Sequence, residues 1–155
     1  MRIGHGYDSH EFKAGVPLVI GGVKIEHSHG LAGHSDGDVL LHALTDAILG
    51  AAAAGDIGKF FPPSDPKWKG ADSSLFLDEA VRQMKKAGYG VANADATLIL
   101  AQPKIGPHAA KIRERVAQLL GVGVDQVSVK AKTPEGMNLD HVAQAHVVVL
   151  LKESR

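Results

Sequence analysis

The stretch HSDGDVLLHALTDAILGAAAAG, residues 34–55, constrains the fold more than any other. His34, Ser35, Asp36 and Asp38 crowd the entrance to an apolar run. Ser and Asp are the residues that satisfy the free N–H groups of a helix start and favour its positive end. The run over 39–54, rich in Leu, Ala and Ile, reads as a helix, and Gly55 supplies a C-terminal stop. Capping explains one or two of the polar residues before it. The surplus points to a loop that grips a ligand, with His34 and Ser35 as donors to an anion.

The segments around this helix set what it packs on. Residues 2–12 form a first strand, and PLVIGGVKI (17–25) reads as a hairpin turning at Gly21-Gly22. A second helix is expected over about 74–87, capped by Asp72 or Ser73 and ended by Gly88. A strand follows over 94–101, then a helix over 108–120 with Pro107 in its first turn and Gly121 after it. QVSVKAKT (126–133) and AQAHVVVLL (143–151) are the last strands. The order β-β-β-α-α-β-α-β-β mixes strands and helices without strict alternation. It predicts an α+β fold, with helices on one face of a mixed or antiparallel sheet. No repeat or linker divides the 155 residues, so one domain over 1–155 is expected.

Lys plus Arg and Asp plus Glu balance at 17 each, so no global charge argues for nucleic acid or a membrane surface. The opening MRIGHGYDSH lacks a signal peptide's apolar segment, and no apolar run reaches the roughly 18 residues of a membrane span. The expectation is a cytoplasmic protein. With no cysteine, a metal would be held by His, Asp, Glu or backbone oxygen.

Asp8 and His10 lie two apart in the first strand and so share one face. An acid and an imidazole suit Zn²⁺, Mn²⁺ or Fe²⁺ better than an all-oxygen Mg²⁺ site. A polar, solvated strand end is the alternative. His42, on the helix, is a candidate third ligand, and the alternative for it is a satisfied, partly buried histidine. Asp38 and Asp46 flank His42 at i−4 and i+4, where either could orient its imidazole. Ser9 should face away from this pair and tolerate change.

Three loops follow helix or strand ends. GDIGKFFP (55–62) has glycines on both sides of Asp56 and permits close backbone approach, or is a simple turn; Phe60 and Phe61 read as core. LAQPKIGPHAAK (100–111) sets Lys104 before a helix start, where an anion is favoured. VKAKTPEG (129–136) brings Lys130, Lys132, Thr133 and Glu135 to a strand end, suited to phosphate oxygens and a hard cation, or merely an exposed polar turn. No P-loop, dinucleotide fingerprint, HExxH or nucleophile elbow occurs.

Together MRIGHGYDSH, IGGVKI, HSDGDVLLHALTDAILGAAAAGDIGKFFP, SDPKWKGADS, AQPKIGPH and VKAKTPEG resemble the 2-C-methyl-D-erythritol 2,4-cyclodiphosphate synthase family over nearly the whole chain. The resemblance implies a homotrimer of ferredoxin-like α+β subunits with sites between neighbours. It implies Zn²⁺ or a similar ion on Asp8, His10 and His42. A second ion, Mg²⁺ or Mn²⁺, would sit on the diphosphate of a cytidine diphosphate substrate with Glu135 as ligand. It implies catalytic roles for His34, at the methylerythritol phosphate, and for Thr133, at the diphosphate. Ser35 would join His34; Asp56 and Gly58, with Ile57, would meet the ribose; Phe61 and Asp65 would line the same site. Leu100, Ala101, Lys104, Ile105 and Gly106 would embrace cytosine and phosphate, beside Lys132 and Pro134. The substrate's 2-phosphate would attack the β-phosphorus and release CMP, so no protein nucleophile is required.

The chain departs from that family's pattern at three places. Pro63 stands where many relatives carry Asp, though Asp65 remains, so contacts from position 63 to the erythritol hydroxyls are not expected. Lys132 and Pro134 replace a Thr-rich run. GMNLDHVAQAH (136–146) is shorter than the Arg-containing stretch that lines the trimer axis in many members, so axial prenyl-diphosphate binding should be weak or absent here. Two other classes compete: a metal-dependent phosphohydrolase using Asp8, His10 and His42, and a non-enzymatic metal or nucleotide sensor.

Overall fold

The structure, a computed structural model, describes residues 1–154. Strands β1 (Arg2–Ala14), β4 (His29–Leu31), β5 (Tyr89–Ile99), β6 (Val127–Lys132) and β7 (Val142–Glu153) form one sheet in the order β4-β1-β7-β5-β6. β1 runs antiparallel to β4 and β7, and β7 antiparallel to β5, while β5 and β6 are parallel and joined through a helix. The sheet is therefore mixed, as an α+β chain predicts.

β2 (Leu18–Ile20) and β3 (Val23–Ile25) form a separate hairpin. Gly21 and Gly22 both take positive φ, 61° and 74°, as a primed turn requires.

Helix α1 (Val39–Ala51) lies between layers, with β1 and β7 on one side and α3 (Ser74–Lys86) on the other. Its apolar residues are accordingly buried nearly all round, from Val39 through Leu49. A four-residue helix α2 (Ile57–Phe60) follows it, and α4 (Ala109–Leu120) covers β6. On the helix-facing side of the sheet Val91, Ala94, Ala96, Leu98, Ala145, Val147 and Val149 are buried. Among the described residues nothing covers the other side: Ile3 is 72% exposed, Tyr7 47% and Val148 40%.

Most elements fall within a residue or two of expectation, and the larger differences have physical causes. α1 ends at Ala51, not 54, because Ala53 turns into the left-handed region (φ 56°) and the N–H groups of Ala53 and Ala54 close onto Gly50 O and Leu49 O. β5 begins at Tyr89 rather than 94, with a register shift between Val91 and Asn93. The short edge strand β4 had no recognisable signal of its own.

Candidate functional site

The glycines of β1 bring strand and helix together. Gly4 and Gly6 are buried and face α1; a Cβ on Gly6 would lie 1.8 Å from Ala43 O, and one on Gly4 1.9 Å from Ala47 O. The α1 backbone thus rests directly on the β1 backbone. Asp8 and His10 continue the same face, opposite Ala145 and Ala143 of β7, and meet His42 one residue before Ala43. Ser9 points to the exposed side.

Three donor atoms converge there. Asp8 Oδ2 lies 2.7 Å from His10 Nε2 and 3.1 Å from His42 Nδ1, and the two ring nitrogens are 3.1 Å apart. The Nδ1–H of His10 donates to Ala32 O at 2.8 Å. Its Nε2 is left to face a carboxylate oxygen and a second imidazole nitrogen. A proton or a metal ion must lie among these three atoms. One oxygen and two nitrogens suit a divalent ion of the zinc kind, and these residues form a group able to hold one.

The electrostatics agree. Burial opposes ionisation of Asp8, but the imidazoles beside it, His10 first, hold its carboxyl down to about 2. Burial likewise opposes charge on His10, yet its bond to Asp8 raises it above the ordinary imidazole value. Asp8 and His10 thus favour opposite charges, and a divalent ion would compete with the proton they share.

A cavity of about 150 Å³ opens beside the triad, lined by His34, Ser35, Ile57, Gly58, Phe61 and Pro63, with Trp68 and Phe76 behind. Pro63 contributes to its wall. Phe61 packs edge-on to Trp68 and tilted against Phe76, so it is both packing and lining. Asp56 caps α2, its Oδ1 accepting from Lys59 N at 3.0 Å. Asp65 caps the turn at 66–68, accepting from Lys67 N at 3.0 Å, while its carbonyl accepts from His34 Nε2 at 3.3 Å.

The expectation that Asp38 and Asp46 orient His42 is corrected. Asp38 accepts from Leu41 N (3.0 Å), Gly21 N (2.9 Å) and Gly22 N (2.7 Å), tying the hairpin turn to the start of α1. Its complete burial pushes the carboxyl up to about 6 against those three donors. Asp46 accepts from Ile57 N at 2.8 Å, holding α2 to α1. The far nitrogen of His42 meets hydroxyls instead, Ser73 Oγ at 2.8 Å and Ser35 Oγ at 3.0 Å. Sequence reasoning had assigned Ser73 to helix capping alone. The available signal was that Asp72 beside it could cap equally well.

The remaining candidates form a second cluster. Leu100, Ala101, Lys104, Ile105, Gly106, Lys132 and Thr133 line a cavity where β5 and β6 end. Thr133 Oγ1 donates to Glu135 at 3.0 Å, and Glu135, past Pro134, has a left-handed φ of 53°. Across the sheet Asp8 pairs with Ala145, Ala145 with Leu98, and Leu98 with Ala131. Three strand spacings, roughly 14 Å, separate the metal-binding strand from the strand leading to Thr133. Within one chain Glu135 does not join the triad.

Residues 1–152 match the YgbB family. A 2-C-methyl-D-erythritol 2,4-cyclodiphosphate synthase of Koribacter versatilis (strain Ellin345) is 65% identical over 153 residues, 99% of each chain. One of Moorella thermoacetica is 54% identical over 159 residues, 99% of this chain and 98% of the relative. A solved 2C-methyl-D-erythritol-2,4-cyclodiphosphate synthase in a CDP-bound form matches with a TM-score of 0.92 at 42% identity, covering 97% of this chain and 100% of the other.

Proposed function

The chain belongs to the YgbB family, that of the 2-C-methyl-D-erythritol 2,4-cyclodiphosphate synthases, and on that premise we propose how its residues carry the reaction. It is an enzyme that converts 4-diphosphocytidyl-2-C-methyl-D-erythritol 2-phosphate to 2-C-methyl-D-erythritol 2,4-cyclodiphosphate and releases CMP. In the reading proposed, an oxygen of the substrate's 2-phosphate forms a bond to the β-phosphorus. The bond from that phosphorus to the bridging oxygen breaks, and the electron pair leaves on CMP. This is the balance of a phosphorus–oxygen lyase. The attacking phosphate is already ionised, so the protein supplies position and charge rather than a base.

Asp8, His10 and His42 would hold Zn²⁺ or a similar divalent ion, and Glu135 a Mg²⁺ or Mn²⁺ that would supply charge at the substrate's diphosphate. Such ions supply positive charge that offsets repulsion between the approaching phosphates. His34 and Ser35 would donate to the methylerythritol phosphate from the cavity wall beside the triad. Asp56, Ile57 and Gly58 would meet the ribose, with Phe61 and Asp65 behind them. Lys104, in the strand-end loop with Leu100, Ala101, Ile105 and Gly106, would hold cytosine and phosphate. Thr133, between Lys132 and Pro134, would contact the diphosphate.

A homotrimer of ferredoxin-like subunits, each a single domain over 1–155, completes the reading. Two features support it. The apolar residues of the open sheet face lack a covering layer, and the two candidate clusters lie in separate cavities of one chain. A site assembled from both would draw on neighbouring copies. A cytoplasmic location, with no nucleic acid or membrane partner, belongs to the same proposal; among the described residues no helix is long and apolar enough to cross a membrane.

The observation that carries the reading is the convergence of Asp8, His10 and His42 at the mouth of the cavity holding His34 and Ser35. His42→Ala should lose bound metal and nearly all CMP release while keeping its assembly. Turnover like that of the wild type would sink the metal assignment. Product analysis separates cyclisation from hydrolysis, since ring-opened phosphates in place of the cyclic diphosphate would mean a phosphohydrolase.

A further inference from the structure

Ser73 is wholly buried and stands at the N-cap of α3, yet its hydroxyl makes no cap bond. Asp72 takes that task, its Oδ1 accepting from Ser74 N at 2.8 Å. The Ser73 hydroxyl instead donates to Asp36 Oδ1, and Ser73 N donates to Asp36 Oδ2 at 3.0 Å. Asp36 is fixed in turn: its Oδ1 accepts from Asp38 N at 3.0 Å, and its N–H donates to Ala71 O at 3.1 Å.

Proton bookkeeping sets the direction of this chain. A serine hydroxyl has one hydrogen and a carboxylate only accepts, so the hydrogen of Ser73 goes to Asp36. What Ser73 Oγ then offers His42 Nε2, 2.8 Å away, is a lone pair. An Nε2–H on His42 meets that lone pair, the shorter of its two hydroxyl contacts, and leaves Nδ1 bare toward Asp8 and His10. That is the tautomer a ligand through Nδ1 requires. With the Nε2 proton taken by Ser73, Ser35 Oγ keeps its own hydrogen for an acceptor in the cavity.

We propose that Asp36 and Ser73 are positioning residues for His42: the carboxylate orients the hydroxyl, and the hydroxyl fixes the tautomer and aim of the metal-binding imidazole. The proposal rests on the metal reading of Asp8, His10 and His42. It couples α3 to a site built on β1 and α1, through residues that touch neither ion nor substrate.

The test is Zn²⁺ affinity by chelator competition, with the visible spectrum of the Co²⁺ form, in wild type, Ser73→Ala, Asp36→Asn and His42→Ala. Ser73→Ala and Asp36→Asn should each weaken Zn²⁺ binding by about 10- to 100-fold and shift the Co²⁺ bands. Unchanged affinity and spectrum in both folded variants, with binding lost in His42→Ala, overturns the proposal and leaves the metal reading standing. A wild type that binds no ion, or a His42→Ala that binds as tightly, overturns both. Should the Ser73 and Asp36 variants fail to fold, histidine ¹⁵N spectra of the metal-free wild type in alkaline solution decide. A neutral His42 with a slowly exchanging Nε2 proton supports the proposal, and one protonated at Nδ1 refutes it.

Discussion

Gly6→Ala tests whether the helix-on-glycine contact positions the metal ligands. The new Cβ would sit 1.8 Å from Ala43 O and 2.8 Å from both Ala43 C and Ala47 N. A carbon and a carbonyl oxygen approach no closer than about 3.3 Å, so strand and helix must separate by roughly 1.5 Å along that contact. Every atom involved is backbone, and no side chain can rotate out of the way. Overpacking costs about 1–3 kcal/mol where neighbours adjust, and this contact belongs at the upper end, about 3 kcal/mol. For a chain of this length that lowers the unfolding temperature by roughly 6–12 °C. The function should suffer more than the stability. His42 is the neighbour of Ala43, its Nδ1 is 3.1 Å from Asp8 Oδ2, and metal ligation tolerates only about 0.2 Å. Calorimetry and Zn²⁺ titration on one preparation read both effects. Gly50→Ala is the control: Gly50 is exposed, lies in α1, and has nothing within 4 Å of its would-be Cβ. It should gain about 0.5–1 kcal/mol with metal binding unchanged. If Gly6→Ala stays within about 1 kcal/mol of wild type and binds Zn²⁺ equally well, the account of how β1 and α1 set the triad is wrong.

Two further outcomes follow from the same structure. Asp38 is raised by burial from 3.8 to about 6, so between those values the folded protein holds a proton that the unfolded chain has released. Its contribution to stability is full below about pH 4 and is lost as pH rises to 6; urea unfolding of metal-free protein should show this decline, and Asp38→Asn should flatten it, an unaltered slope counting against the assignment. Ala53 occupies a left-handed backbone (φ 56°) on an exposed turn; Ala53→Gly relieves about 1–2 kcal/mol of strain against about 0.4–1 of unfolded-chain entropy, so its melting temperature should rise or hold, and a clear drop would contradict the conformation.

What could be read from residues alone, and what could not, divides along a physical line. The period-two geometry of a strand puts Asp8 and His10 on one face whatever surrounds them, and Gly21-Gly22 specifies its turn locally. The end of α1 was illegible because alanine is the best helix former, and nothing in a run of four alanines marks Ala53 as the residue that turns left-handed. Gly4 and Gly6 were visible as glycines, but what approaches them was not. The partners of His42 were misjudged for a related reason. Spacing at i−4 and i+4 offered Asp38 and Asp46 to the imidazole, yet the fold leaves N–H groups of Gly21, Gly22, Leu41 and Ile57 in need of acceptors beside those carboxylates. A buried N–H without a partner is expensive, so the carboxylates go there. A hydroxyl that can accept and donate at once, Ser73, is then the group left to join His42 to Asp36. Ligands set by local geometry are legible in a sequence. The groups that orient them are settled by which backbone donors the tertiary fold leaves unpaired nearby, and that competition has no local signature.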